Sequence, residues 1–254
     1  VSGLTMGGES ASKYSRTQPT TTADITGKVL TVSGITAANK VYDGNTTATL
    51  NTASATLVGV VSGDTVTLNT GSAAGSFSSA AVGTGKTVTV SGLTIGGASA
   101  SNYTLTQPTT TADITGKPLT VSGITAANKT YDGTTTATLN TSGATLVGVI
   151  GGDTVTLNTA SAAGAFATAA VGTGKTVTVS GLTMGGAEAG NYTLTPPTTT
   201  ADIAGKTLTV SGITAANKTY DGTTAATLNT AGAVLVGVVS GDTVTLNTAS
   251  ATGA

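Results

Sequence analysis

The chain repeats itself every 89 residues, and no other feature of the sequence restricts its fold as strongly. Tyr42, Tyr131 and Tyr220 each open a Tyr-Asp-Gly triplet; Lys28, Lys117 and Lys206, and Asp64, Asp153 and Asp242, keep the same spacing. Val1-Ser2-Gly3-Leu4-Thr5 returns at Val90 and at Val179. A fixed period of this kind describes one structural module that stacks mainly on its neighbours. Residues 28–116 and 117–205 are complete units that differ at only 16 of 89 positions, so the two must share a fold. Residues 1–27 match the end of a unit and residues 206–254 match its beginning. A unit cut at such points leaves strand edges unpaired, which points to a longer array. Completion of split units between neighbouring chains by strand addition is the alternative, and the absence of one strand counts against it.

Inside the unit the hydrophobic pattern has period two. Leu30-Thr31-Val32-Ser33, Thr65-Val66-Thr67-Leu68 and Thr87-Val88-Thr89-Val90 alternate as half-buried strands do. Thr and Val suit the pleated surface because their branched Cβ is tolerated there. No helical periodicity is sustained anywhere. Turns are expected at Asp43-Gly44, Ser62-Gly63-Asp64, Gly83-Thr84-Gly85-Lys86 and Gly96-Gly97. These divisions predict about six or seven short strands per unit in a small β-sandwich-like domain. The Ala- and Ser-rich stretch 72–82 has little pattern. The expected core is Leu30, Val32, Ile35, Leu57, Val60, Val66, Leu68, Phe77, Val88, Val90, Leu93 and Leu105, with Tyr42 and Tyr103 as its aromatic mass. Gln107 to Lys117, with Pro108 and consecutive threonines, reads as an extended joint between units, giving an elongated rod of tandem domains.

Composition excludes several functions. Ten basic and eleven acidic residues leave a net charge of −1, without the positive footprint that nucleic acid or an anionic membrane surface requires. No apolar run approaches the length of a membrane span. With no Cys and no His, the chain has no disulfide, no thiolate metal site and no imidazole base for a nucleophilic triad. Catalysis and a bound cofactor are therefore not expected.

Several residue groups have side chains that a site could use. Asp43 and Asp64 could form a carboxylate pair, but both stand in turns, where Asp ordinarily bonds its own backbone. Calcium calls for clustered carboxylates, and only a joint site using Asp113 and Asp132 comes into view. Lys40 with Asp43, or Lys86 with Asn102, could form an isopeptide crosslink, for which plain surface lysine is the simpler reading. Asn45, Asn102, Asn128, Asn191 and Asn217 stand in glycosylation sequons, as chance allows in so threonine-rich a chain. Ice binding would need flat threonine ladders, and carbohydrate binding would need aromatic platforms that two core tyrosines per unit do not supply.

The segments Lys40-Val41-Tyr42-Asp43-Gly44-Asn45-Thr46 and Lys129-Thr130-Tyr131-Asp132-Gly133-Thr134-Thr135 resemble the hallmark of the YDG repeat domain. The turns at Ser62 and Gly83 and the Gly190-Asn191-Tyr192-Thr193-Leu194 stretch resemble it too. The signature residues carried over are Tyr42, Asp43, Gly44, Tyr131, Asp132, Gly133, Tyr220, Asp221 and Gly222, together with Tyr103 and Tyr192. Two departures stand out: Lys13-Tyr14-Ser15-Arg16 replaces Asn-Tyr-Thr-Leu, and Gly27, Gly116 and Gly205 stand where the family often has Pro. Such repeats occur in large bacterial exoproteins, including filamentous-haemagglutinin-like and autotransporter-like adhesins. The resemblance implies secretion, display at the bacterial surface and a stalk or spacer role, with neighbouring repeats as partners. It implies no catalytic residue. A self-assembling fibre or matrix subunit, with like chains as partners, and a carbohydrate- or receptor-binding module are the alternatives.

Overall fold

The computed structural model describes all residues, Val1–Ala254, and is all-β, its only helical pieces being single 3-10 turns at Ala11–Lys13, Ala100–Asn102 and Ala189–Asn191. The chain divides into two compact units, Val1–Thr115 and Gly116–Ala254, each holding one complete repeat and one partial one.

The first complete repeat has twelve strands, not six or seven: β1 Lys28–Ser33, β2 Thr36–Ala37, β3 Lys40–Val41, β4 Thr47–Ala48, β5 Leu50–Asn51, β6 Thr56–Val58, β7 Thr67–Asn69, β8 Ala74–Phe77, β9 Gly83–Ser91, β10 Thr94–Gly96, β11 Tyr103–Leu105 and β12 Thr109–Thr115. Many are two or three residues long, too short for period two to register. They build a five-stranded sheet in the order β3-β12-β9-β8-β4, a three-stranded sheet β11-β1-β6, and the two-stranded pairs β2-β5 and β7-β10. Two pairings are parallel and join the ends of the repeat: Lys28 lies opposite Tyr103, and Lys40 lies opposite Ile114. The second complete repeat copies this plan from Lys117–Ser122 to Thr198–Ala204.

The core lies between the five- and three-stranded sheets. Val32 from β1 packs with Val90 from β9 and with Leu93. Leu30, Val88 and Val90 are completely buried. Leu57, Leu68, Ile35 and Leu105, expected in the core, are only partly buried and pack against its margin; Val60 and Val66 are partly buried as well. Three core residues were not foreseen: Ala48, Ala112 and Ile114.

Ile114 and Ala112 correct the reading of residues 107–117 as a joint. Residues 109–115 form β12, which pairs with β9 along most of its length and with β3 at its end. A Pro followed by three Thr starts a strand here because Pro108 precedes the ladder, where its missing N–H costs nothing. The patternless stretch 72–82 contains β8, a strand inside the five-stranded sheet. The expected turn at Gly83–Lys86 is a bulge within β9, where the register shifts opposite Ala112 and Ile114.

The partial segments are less ordered in their pairing. Residues 1–27 contain no strand. Residues 206–254 keep three local pieces, Thr209–Ser211 against Val234–Val236, and Thr214–Ala215 against Leu228–Asn229, with one isolated bridge between Ala226 and Gly253.

Candidate functional site

The signature loop is built around a lysine. Lys40, on β3, places its Nζ 2.6 Å from Asp43 Oδ1. The same ammonium donates to the carbonyl oxygens of Asn45 (2.9 Å) and Thr47 (3.1 Å) and to Asn45 Oδ1 (3.0 Å). It stands 5.7 Å from the centre of the Phe77 ring, a cation–π placement. Asp43 Oδ1 also accepts the Asn45 N–H at 3.1 Å, closing an Asx turn, and Gly44 supplies the positive φ of +79° that the turn requires. Lys129, Asp132, Thr134 and Phe166 repeat the arrangement, as do Lys218, Asp221 and Thr223 without an aromatic partner. The pairing has an electrostatic trace. The Lys129 hydrogen bond, followed by those from Thr134, lowers Asp132 to about 2. At Asp43 burial pulls upward, but Lys40 and Asn45 together outweigh it and the carboxyl lies low. These side chains close a loop and leave no lone nucleophile or base.

The second centre is the Gly-Asp turn at Asp64, and here the structure departs from expectation. The Asp64 backbone N–H closes the turn onto Val61 at 3.1 Å, but its carboxylate accepts the hydroxyl of Tyr103 rather than its own backbone. That hydroxyl in turn accepts the Val61 N–H at 3.0 Å. In the second repeat Tyr192 donates to Asp153 Oδ2 at 2.5 Å and accepts the Ile150 N–H at 3.0 Å. Tyr103 and Tyr192, at the start of short strands, thus bury their rings and spend both capacities of the hydroxyl on one turn. The Asp64 hydrogen bond, reinforced by burial, holds Tyr103 above the ordinary phenol range. For Tyr192 burial comes first and Asp153 second.

The signature tyrosines take three different settings. Tyr42 is buried, and its N–H bonds the carbonyl of Thr115 at the end of β12 at 2.8 Å. Tyr131 bonds Ala204 in the same way, at 2.8 Å, and packs its ring against the cluster of Ala137, Phe166, Val177, Ala201 and Ile203. Its hydroxyl donates to Oδ1 of Asp242, in the following repeat, at 3.0 Å, and that bond is the first cause of its raised pKa. Tyr220 is 93% exposed.

The other candidates are engaged locally. Asp113 accepts the N–H of Gly85 in the β9 bulge at 2.7 Å, while its own N–H bonds Asn39 Oδ1 at 2.8 Å; Asp202, Gly174 and Asn128 repeat this. Lys86 donates to Ser79 Oγ at 2.7 Å. No three His, Cys, Asp or Glu side chains gather anywhere, and no helix is long and apolar enough to cross a membrane. The Asp–Tyr pairing was the functional feature the sequence did not reveal. Its trace was the joint recurrence of Asp64 with Tyr103 and of Asp153 with Tyr192, which cannot say which carboxylate meets which ring.

An all-β repeat that recurs in tandem, with its recurring polar residues committed to turns and to a bulge, and with Tyr131 bonded to the repeat that follows, defines a tandem-repeat domain protein. The chain belongs to the YDG domain family, which it matches over residues 26–112, 115–201 and 204–254. No curated protein and no solved structure matches it.

Proposed function

We propose that this segment is a non-enzymatic structural spacer within a secreted or cell-surface bacterial protein of the adhesin type, extending other regions as a rod of YDG domains. One observation carries the reading: the signature Tyr131, whose ring packs against the core of its own repeat, spends its hydroxyl on the repeat that follows. A residue used in this way serves continuity of the array rather than capture of a ligand. Near-identity of the complete units fits the same role, since a spacer needs length and not variety. The reading is tested by small-angle scattering of the chain and of tandem extensions of it. The maximum dimension should grow in proportion to the number of repeats; a compact particle would sink the idea. Protease shaving of intact producing cells should release these repeats if they are displayed outside.

A second reading, the self-assembling fibre, is favoured by one surface. Thr47, Ser76, Thr89 and Thr109 form an exposed row across the five-stranded sheet, and Thr136, Ala165, Thr178 and Thr198 form its counterpart. Uncharged ladders of this kind lack the like-charge repulsion that keeps sheet faces apart. Ordered filaments or sheets of many chains under electron microscopy would replace the spacer by this reading.

A further inference from the structure

We infer that the signature tyrosine and the Gly-Asp turn form a directional latch between consecutive repeats, the earlier repeat donating through Tyr131 and the later one accepting through Asp242. The inference rests on the spacer reading and names the partner of the signature loop: the Gly-Asp turn of another YDG repeat.

Both halves are prepared before they meet. Tyr131 is fixed from behind, because its N–H is held by Ala204 on the last strand of its repeat and its ring by the Phe166 cluster. The chain passes from that strand through Gly205 straight into the next repeat, so the donor sits beside the point where the array continues. On the acceptor side, the Asp242 turn is closed by its N–H bond to Val239 at 3.0 Å. Gly133, two residues on in the signature, faces that turn so closely that a Cβ there would stand 3.0 Å from Val239 Cγ1. Glycine in the third position of the signature therefore serves the joint as well as the turn. Tyr131, Val239 and Asp242 line one shared crevice with Leu208 at its side.

Within a repeat, Tyr192 occupies Oδ2 of Asp153; between repeats, Tyr131 occupies Oδ1 of Asp242. The contact is heterologous, tyrosine on one side and aspartate on the other, and such contacts extend rather than close unless a rotation brings the ends together.

Hydrogen exchange read by mass spectrometry on the whole chain tests the latch, with Tyr131→Phe and Asp242→Asn. Both variants should speed exchange in the 237–243 turn by about tenfold, the scale of a lost hydrogen bond to a charged acceptor. Strand 172–180 should be unaffected, and the double variant should add little to either single one. Unchanged exchange in the turn of Tyr131→Phe would overturn the latch. So would acceleration spread evenly over the 117–205 repeat, because Tyr131 would then be core and nothing more. The spacer reading fails separately: it falls if tandem extensions prove compact by scattering, whatever the exchange of this turn.

Discussion

Residues 117–165 and 206–254 differ at only seven of 49 positions, yet they are built differently. In the first, Lys117–Ser122 is a six-residue strand with Leu119 and Val121 buried. In the second the equivalent strand is only Thr209–Ser211, and Val210 is 46% exposed. The first keeps Lys129–Thr130 as a strand against Thr198–Ala204, whereas Lys218 and Thr219 have no strand at all. What both retain are antiparallel pairings between near neighbours, such as Val121 with Leu146 and Val210 with Leu235. What only the complete repeat has are parallel pairings with its own last third. The shared antiparallel pairings thus use only the first half of a repeat, whereas the parallel ones need its last third. Residues 1–27 give the mirror case: Ile25 corresponds to the buried Ile114 but is fully exposed, and Tyr14 corresponds to Tyr103 but is 70% exposed.

The largest test of this contrast is hydrogen exchange in equivalent strands. Amides of 117–122 should exchange on the order of a thousandfold more slowly than those of 209–211, since the first open only with the domain. Equal protection would mean that the first half of a repeat is a folding unit by itself. Next comes Ile114→Ala, expected to cost about 2–5 kcal/mol in urea unfolding followed by circular dichroism, whereas Ile25→Ala should leave the same transition in place. Tyr192→Phe should cost less, about 1–2 kcal/mol, through loss of the hydroxyl that Asp153 and Ile150 share; Tyr14→Phe should cost nothing measurable.

Two pH effects sharpen the comparison further. The tyrosines bonded to carboxylates, Tyr103, Tyr131 and Tyr192, have pKa values raised in the folded chain. Their contribution is complete below the ordinary phenol value of about 10 and is lost as pH rises through the raised values. Alkaline unfolding with a coincident rise in tyrosinate absorbance is the expected observation, and Tyr192→Phe should weaken the dependence. The smallest effect is at acid. Asp132, lowered to about 2, contributes above the ordinary carboxylate value of about 3.9 and loses that contribution as pH falls towards 2. Because the Asp132 side chain is half-exposed, Lys129→Met should shift the acid midpoint only slightly.

Much of the fold was legible because repetition and alternation are local properties. Leu30, Val32, Val88 and Val90 announce themselves by period two, and the Asx turn at Asp43 follows from Asp-Gly chemistry. β8 was not legible, since Gly75 has no side chain to show a pattern. Its bareness matters only because a Cβ there would meet Leu50 Cδ2 at 2.8 Å. β12 was misread for a related reason: Pro108 and three threonines look like a linker until β9 lies beside them. At the joint, the signature tyrosine was recognisable, but its partner was not.

The sequence by itself determined the period and the family, which follow from comparing one segment with another, and the all-β class and most of the turns, which depend on residues close together in the chain. Only the tertiary structure decided which strands are parallel, that residues 109–115 are core, and that Tyr131 reaches Asp242. Each of those depends on residues far apart in sequence being brought together by burial, and no local pattern encodes the partner at the other end of such a contact.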